Sequence, residues 1–205
     1  MKIKNFVWDF DGTLADTYPH TATAFVNTMA EYGIKADYDK DIAIMRQSLS
    51  SIKSVYDITD EQYNHFVDNA HDLWFDPKPT LYEGVEKVLE RIVLAGGKNF
   101  MYTNRNDTSI KYLEHFGILK FFTECIYCTC SSYASKPSGE PIEYLINKYS
   151  LDKDCTAMVG DRELDILCGK KAGCKGILFD EFKIYKETDA DAIVYSIKEI
   201  ESFIK

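Results

Sequence analysis

MKIKNFVWDFDGTLADTYPH, residues 1–20, runs apolar through IKNFVW and then sets Asp9 and Asp11 two positions apart, with Gly12 and Thr13 behind them. An apolar run that ends in carboxylates reads as a buried strand delivering acids at its exit. On extended backbone, residues i and i+2 face the same way, so both carboxylates can reach one point at the edge of a sheet. One carboxylate can act as a nucleophile while a second nearby serves as general acid and base. Bare carboxylates this close raise one another's pKa. A divalent cation offsets that repulsion, and hard oxygen ligands suit magnesium. Asp-Gly is also a common turn pair, but even taken alone these five residues favour a functional pair over a solvated turn.

Outward from this stretch, short apolar segments recur at 3–9, 98–103, 124–129, 155–159 and 175–179. Runs of this kind suit strands buried on both faces of a parallel sheet. Helical patterns lie between them. Val85, Val88, Leu89 and Ile92 keep an i, i+3, i+4, i+7 spacing within 83–95, and Gly96-Gly97 supply a stop. Ile110, Leu113 and Phe116 follow a similar rule up to Gly117, and Ile142, Leu145, Ile146 and Tyr149 form one stripe. Strands alternating with helices predict an α/β fold, a doubly wound, Rossmann-like, mostly parallel sheet.

Residues 16–80 break the alternation with helical signals and no convincing strand. Asp16 or Thr17 can cap a helix carrying Pro19 in its first turn, with Ala22, Phe25, Val26 and Met29 as its apolar face and Gly33 as its end. Thr59 and Gln62 make a capping box ahead of Tyr63, Phe66, Val67, Ala70, Leu73 and Trp74, and DPKP at 76–79 closes that helix. The expected organisation is a catalytic core of 1–15 and 81–205, with a small all-helical cap, 16–80, inserted after the first strand. The insertion leaves from a strand's carboxyl end, where open α/β sheets bind ligands.

The 205 residues suffice for one core plus a small second domain, and 45% apolar with 14% aromatic content argues against disorder. No apolar stretch approaches the ~20 residues of a membrane span, and the N-terminus lacks a secretory pattern, so the chain reads as cytoplasmic. A net charge of −9 argues against nucleic acid. Repulsion of an anionic ligand is screened beyond about 8 Å, so charge near the site matters more than the total. Of six cysteines, Cys125, Cys128 and Cys130 form ECIYCTC. No further pair follows at finger-like spacing, which favours packed free thiols over a zinc site.

Further polar groups fall at strand ends. MVGDRELD places Asp161 at the exit of the 155–159 strand and Asp165 one helical turn on, so one can ligate a metal and the other support its shell. Thr103 and Asn104, in YTNRN, offer a hydroxyl and an amide to a phosphoryl oxygen. Lys136, in ASKPSGEP, can supply a point charge. Arg46, Lys53 and Arg105 read either as contacts for a substrate anion or as solvated charges, and His20 as a hinge contact or a surface histidine.

DFDGTLADT at 9–17, YTN at 102–104, Lys136-Pro137 and GDRELD at 160–165 resemble the haloacid dehalogenase superfamily of phosphatases, over essentially the whole chain. The resemblance is closest to phosphoglycolate-phosphatase-like members with a small helical cap. It implies that Asp9 attacks phosphorus and forms an aspartyl phosphate while Asp11 shuttles the proton. It further implies that Mg²⁺ is held by the Asp9 carboxylate, the Asp11 main-chain carbonyl and Asp161, with Asp165 behind them. Thr103, Asn104 and Lys136 then grip the phosphoryl oxygens. A carboxylate at position 11 points to oxygen-linked phosphate chemistry: a phosphatase for a small phosphorylated metabolite, with a sugar phosphomutase or a non-enzymatic phosphometabolite-binding regulator as alternatives. MRQSLSSIKSVY, 45–56, departs from the family by lacking a glycine in the cap specificity loop.

Overall fold

In a computed structural model, residues 1–71, 76–129 and 131–205 are described. Leu73, Trp74 and Cys130 lie outside them. The chain divides into two compact units, Met1–Leu14 with Leu81–Lys205, and Ala15–Thr80.

The larger unit is built on β1 (Asn5–Trp8), β4 (Lys98–Thr103), β5 (Phe122–Tyr127), β6 (Thr156–Gly160), β7 (Lys175–Phe179) and β8 (Ala192–Val194), in spatial order β5-β4-β1-β6-β7-β8. Every pairing is parallel. The sheet runs outward from β1 on one side and then restarts at β6 on the other. The ends of β1 and β6 therefore flank a topological switch point, where such sheets bind ligands. The expected doubly wound sheet is present, wholly parallel. Helices α5 (Val85–Leu94), α6 (Thr108–His115), α7 (Glu140–Tyr149) and α8 (Glu163–Lys171) link the strands.

β1 and the centre of β4 are buried throughout because both neighbours and both faces are covered. A buried polar pair in this core is satisfied: Trp8 Nε1 donates to Asn99 Oδ1 at 3.0 Å, and Asn99 Nδ2 donates to the Leu89 carbonyl at 3.0 Å. α5 buries the predicted Val85, Val88, Leu89 and Ile92. α6 does not follow its expected face. It buries Ser109, Tyr112 and Leu113, while Ile110 and Phe116 are only half-buried, so the helix is rotated to bring Tyr112 inward. β5 begins two residues earlier than expected because a register shift at Asn99/Phe100 lets Phe122 pair. β8 escaped the sequence reading: three residues at a sheet edge carry too little apolar pattern.

The second unit holds α1 (Tyr18–Glu31), α2 (Tyr38–Gln47), α3 (Ser51–Tyr56) and α4 (Asp60–Ala70). Its own core gathers Phe25, Met29, Met45, Ile52 and Phe66. The Thr59–Gln62 capping box opens α4 as the sequence predicts. Thr17 gives no side-chain cap to α1; the Asp16 carboxylate instead accepts the Tyr18 N–H at 3.3 Å. Two-residue strands β2 (Ala15–Asp16) and β3 (Thr80–Leu81) pair with each other, an addition to the all-helical expectation. His20 is no surface histidine: it is buried, its ring nitrogens facing the carbonyls of Pro77 at 2.9 Å and Ala70 at 3.2 Å. Lys53 pairs with Asp60 and lies over the Tyr63 ring, and Arg46 stacks over Tyr18.

Candidate active site

β1 ends at Trp8, but Asp9 continues its ladder, donating its N–H to the Val159 carbonyl at 2.9 Å. This bond brings the Asp9 side chain beside the end of β6. The chain then turns sharply, with the Phe10 carbonyl accepting from the N–H groups of Thr13 and Leu14, and Gly12 supplies the left-handed φ of +76° the turn requires.

Asp9 is buried, and its two oxygens differ. Oδ1 accepts from Phe10 N–H at 2.7 Å and from Lys136 Nζ at 2.6 Å. Oδ2 is buried with no hydrogen-bond partner, the Arg162 guanidinium standing 4.0 Å away. Lys136 also donates to Asp165 Oδ1 at 2.7 Å, while Asp165 Oδ2 accepts the Arg162 N–H at 3.1 Å. Both Asp165 oxygens are thus engaged within the protein. Asp161 receives the Thr13 hydroxyl at 3.5 Å and lies 4.0 Å from Arg162 Nε. Ligand atoms of Asp9, Asp161 and Asp165 all fall within 4.8 Å of one another.

Two braces hold Lys136 in place. Its N–H donates to Asn104 Oδ1 at 2.8 Å, and the Tyr102 hydroxyl bonds the Ala134 and Ser138 carbonyls on either side. Asn104 therefore commits its carbonyl oxygen to the lysine loop, and its amide nitrogen is the group of this side chain that can donate. Thr103, buried at the end of β4, accepts the Arg105 N–H at 3.2 Å through Oγ1. Asp11 stands apart from Asp9: its Oδ1 accepts from Arg105 Nη1 at 2.8 Å. The two aspartates thus take different cations, a separation that spacing alone does not foretell.

Burial pushes the Asp9 carboxyl up to about 7; Lys136 and Arg162 oppose the rise, and Asp165 and Asp161 add to it. Burial pulls the Lys136 ammonium down, but Asp165 and Asp9 more than offset this and the net direction is upward. Three carboxylates here face Lys136 and Arg162, leaving negative charge uncompensated. With an orphaned buried oxygen and an all-oxygen donor set, the residues fit a hard divalent cation. The cysteines do not compete for it. Burial raises Cys125 to about 12 and also lifts Cys128, whereas a metal-binding thiol must lose its proton. Cys128 donates instead to the Ala134 carbonyl.

With Asp9 near 3.8 unfolded and about 7 folded, the folded state binds its proton more tightly. The metal-free protein therefore loses this contribution to stability as pH rises from about 4 to about 7, and has it in full below that range. Urea unfolding in EDTA, wild type against Asp9→Asn, checks it: the wild type should weaken more steeply across that window, and parallel curves contradict the assignment.

A sequence model of the haloacid dehalogenase-like hydrolases matches residues 6–179. The chain belongs to that family. Among relatives of this haloacid dehalogenase-like hydrolase is the pyrophosphatase PpaX of Halalkalibacterium halodurans, 30% identical over 183 residues, covering 85% of this chain and 82% of that protein. The phosphoglycolate phosphatase of Vibrio cholerae is 29% identical over 186 residues, covering 84% and 82%. Of solved structures, a hydrolase from Streptococcus pneumoniae TIGR4 is 32% identical with a TM-score of 0.64, over 87% of this chain and 94% of that one. A subfamily IA hydrolase of the superfamily from Geobacter sulfurreducens shares the fold at a TM-score of 0.73 and 19% identity, over 99% and 97%. The phosphoric monoester hydrolase class expected from the motifs stands. No helix among the described residues is long and apolar enough to cross a membrane.

Two features of the site escaped the motif reading. Arg162 carries no motif signal of its own, yet its guanidinium stands 4.0 Å from both Asp9 and Asp161. Gly160 is required by packing: a Cβ there would stand 2.3 Å from Asp165 Cβ and Cγ. Gly160→Ala should push Asp165 off Lys136 and lower kcat/KM by about 10²-fold, the scale of an ångström-sized misplacement. Steady-state kinetics within about threefold of wild type would show that Asp165 need not sit where it does.

Proposed function

We propose that this enzyme is a Mg²⁺-dependent phosphatase of small phosphorylated metabolites, working through an aspartyl phosphate on Asp9. The observation that carries the reading is the state of Asp9: buried, oriented by Lys136 and Phe10 N–H through one oxygen, and unpartnered at the other. An unsatisfied buried carboxylate oxygen is costly unless a ligand or reacting group completes it.

Asp9 attacks phosphorus, and the bond from phosphorus to the ester oxygen breaks. Asp11 gives its proton to that departing oxygen. Water then attacks the phosphorus of the aspartyl phosphate, Asp11 takes the water's proton, and the bond to Asp9 breaks to release phosphate. Lys136, the Thr103 hydroxyl and the Asn104 amide hold the phosphoryl oxygens, since positioning and charge stabilisation carry most of phosphoryl transfer. The Asp9 carboxylate, the Asp11 main-chain carbonyl and Asp161 would hold the metal, with Asp165 orienting Lys136 behind them. When bound, Mg²⁺ offsets the repulsion between the anionic nucleophile and an anionic substrate.

Substrate choice we assign to the inserted unit Ala15–Thr80, whose own core makes it a separate module. Relatives named for pyrophosphate and phosphoglycolate make those two compounds the first to try. The test is phosphate release across a panel of phosphorylated metabolites with Mg²⁺ or EDTA. Mg²⁺-dependent release from at least one compound is expected. No turnover of any compound in the panel, or turnover that needs a bisphosphate activator and frees little phosphate, overturns the reading.

A further inference from the structure

Arg105 lies just past the Thr103-Asn104 pair, and its side chain is only 4% exposed, whereas that of Asp11 is 27% exposed. A guanidinium that deep needs its donors committed. Nη1 donates to Asp11 Oδ1 at 2.8 Å and Nε to Thr108 Oγ1 at 3.1 Å. The guanidinium also lies over the Tyr112 ring, 5.5 Å from its centroid. Tyr112 in turn stacks on Phe10, the residue between the two aspartates, at 5.8 Å and 27°. Phe10, Tyr112, Arg105 and Asp11 thus close a ring of contacts that starts and ends in the motif loop. The rotation of α6 that buries Tyr112 is what completes it.

We propose that Arg105 is a positioning residue for the proton shuttle: its bond to Oδ1 holds the Asp11 carboxyl in the orientation that serves the ester oxygen. The proposal rests on the assignment of Asp11 as acid and base. A partly exposed aspartate left to itself samples several rotamers, and a rigid guanidinium fork selects one. Because Thr108 and Tyr112 fix Arg105, the selection holds before substrate arrives. The pairing is also specific, since Lys136 serves Asp9.

Leaving-group dependence separates this role from others. An alkyl phosphate needs its departing oxygen protonated; p-nitrophenyl phosphate needs this far less. With Mg²⁺ present, Arg105→Gln should lower kcat/KM, which reads the leaving-group step and not the later attack of water common to both substrates, by about 10²-fold on an alkyl phosphate and about threefold on p-nitrophenyl phosphate. Arg105→Lys should recover part of the alkyl rate, and Asp11→Asn should show the same selectivity more strongly. Equal losses of kcat/KM on both substrates overturn the proposal. Should Arg105→Gln fail to fold, Tyr112→Leu decides: a weaker loss with the same selectivity supports the clamp, and a loss without selectivity overturns it. Wild type inactive on both substrates would instead overturn the assignment of function beneath it.

Discussion

Asp9→Asn should lower kcat by roughly 10⁴-fold or more and leave the fold intact. The amide keeps the shape of the carboxylate, so the packing around Trp8 and Val159 is retained. What it lacks is the anionic oxygen that attacks phosphorus. Lys136 keeps its partner Asp165, so the substitution strands no cation in the interior. The charge deficit at the site shrinks, and affinity for Mg²⁺ should fall with it. Single-turnover phosphate release, together with acid-quench trapping of a phosphoprotein in the wild type alone, measures both parts of the claim. Residual turnover within about tenfold of wild type would falsify the assignment of Asp9 as nucleophile.

Lys136→Met carries the largest expected cost to stability. It leaves Asp9 and Asp165 facing each other in the interior without their shared ammonium. Removing one member of a buried ionic group costs about 3–5 kcal/mol, because the charges left behind stay desolvated. Methionine keeps most of the bulk of the lysine side chain, so the loss reports charge more than a cavity. Without Lys136 the carboxyls are harder to ionise. Stability should therefore recover as pH falls and they take up protons, and should recover in part with Mg²⁺ at pH 7. Catalysis should drop by at least about 10²-fold, as the phosphoryl oxygens lose a point charge. Urea unfolding at pH 5 and pH 7, each with Mg²⁺ or EDTA, reads out both effects. A loss below about 1 kcal/mol at pH 7 in EDTA would mean that Lys136 does not compensate these carboxylates.

Sequence reading went furthest where chemistry and periodicity coincide. Asp9, Thr103, Lys136 and Asp161 stand at strand exits or in the loops that follow, and such positions are visible as polar residues ending apolar runs. Helix faces emerged where spacing was regular, as in α5 and α7. They failed in α6, where Ile110 and Phe116 outweighed Tyr112 by hydrophobicity alone. Tyr112 is drawn inward by stacking on Phe10 and by the guanidinium it carries, contacts that join residues distant in the chain. His20, open in the sequence between a hinge contact and a surface histidine, is decided the same way, since its carbonyl partners lie 50 and 57 positions away.

By itself the sequence determined the doubly wound sheet and put forward the acids, the lysine and the threonine as candidates at its strand ends. Those features follow from local pattern, because a strand's period and its polar exit are written within a few residues. Only the tertiary structure decided which charge meets which: Lys136 between Asp9 and Asp165, Arg105 on Asp11, Arg162 beside Asp9 and Asp161, and Gly160 yielding its space to a carboxylate. Ion pairing falls off over a few ångströms and takes no account of sequence separation. The aspartates of WDFDGT look equivalent on the page, and become distinct once β4 and β6 bring different cations to each.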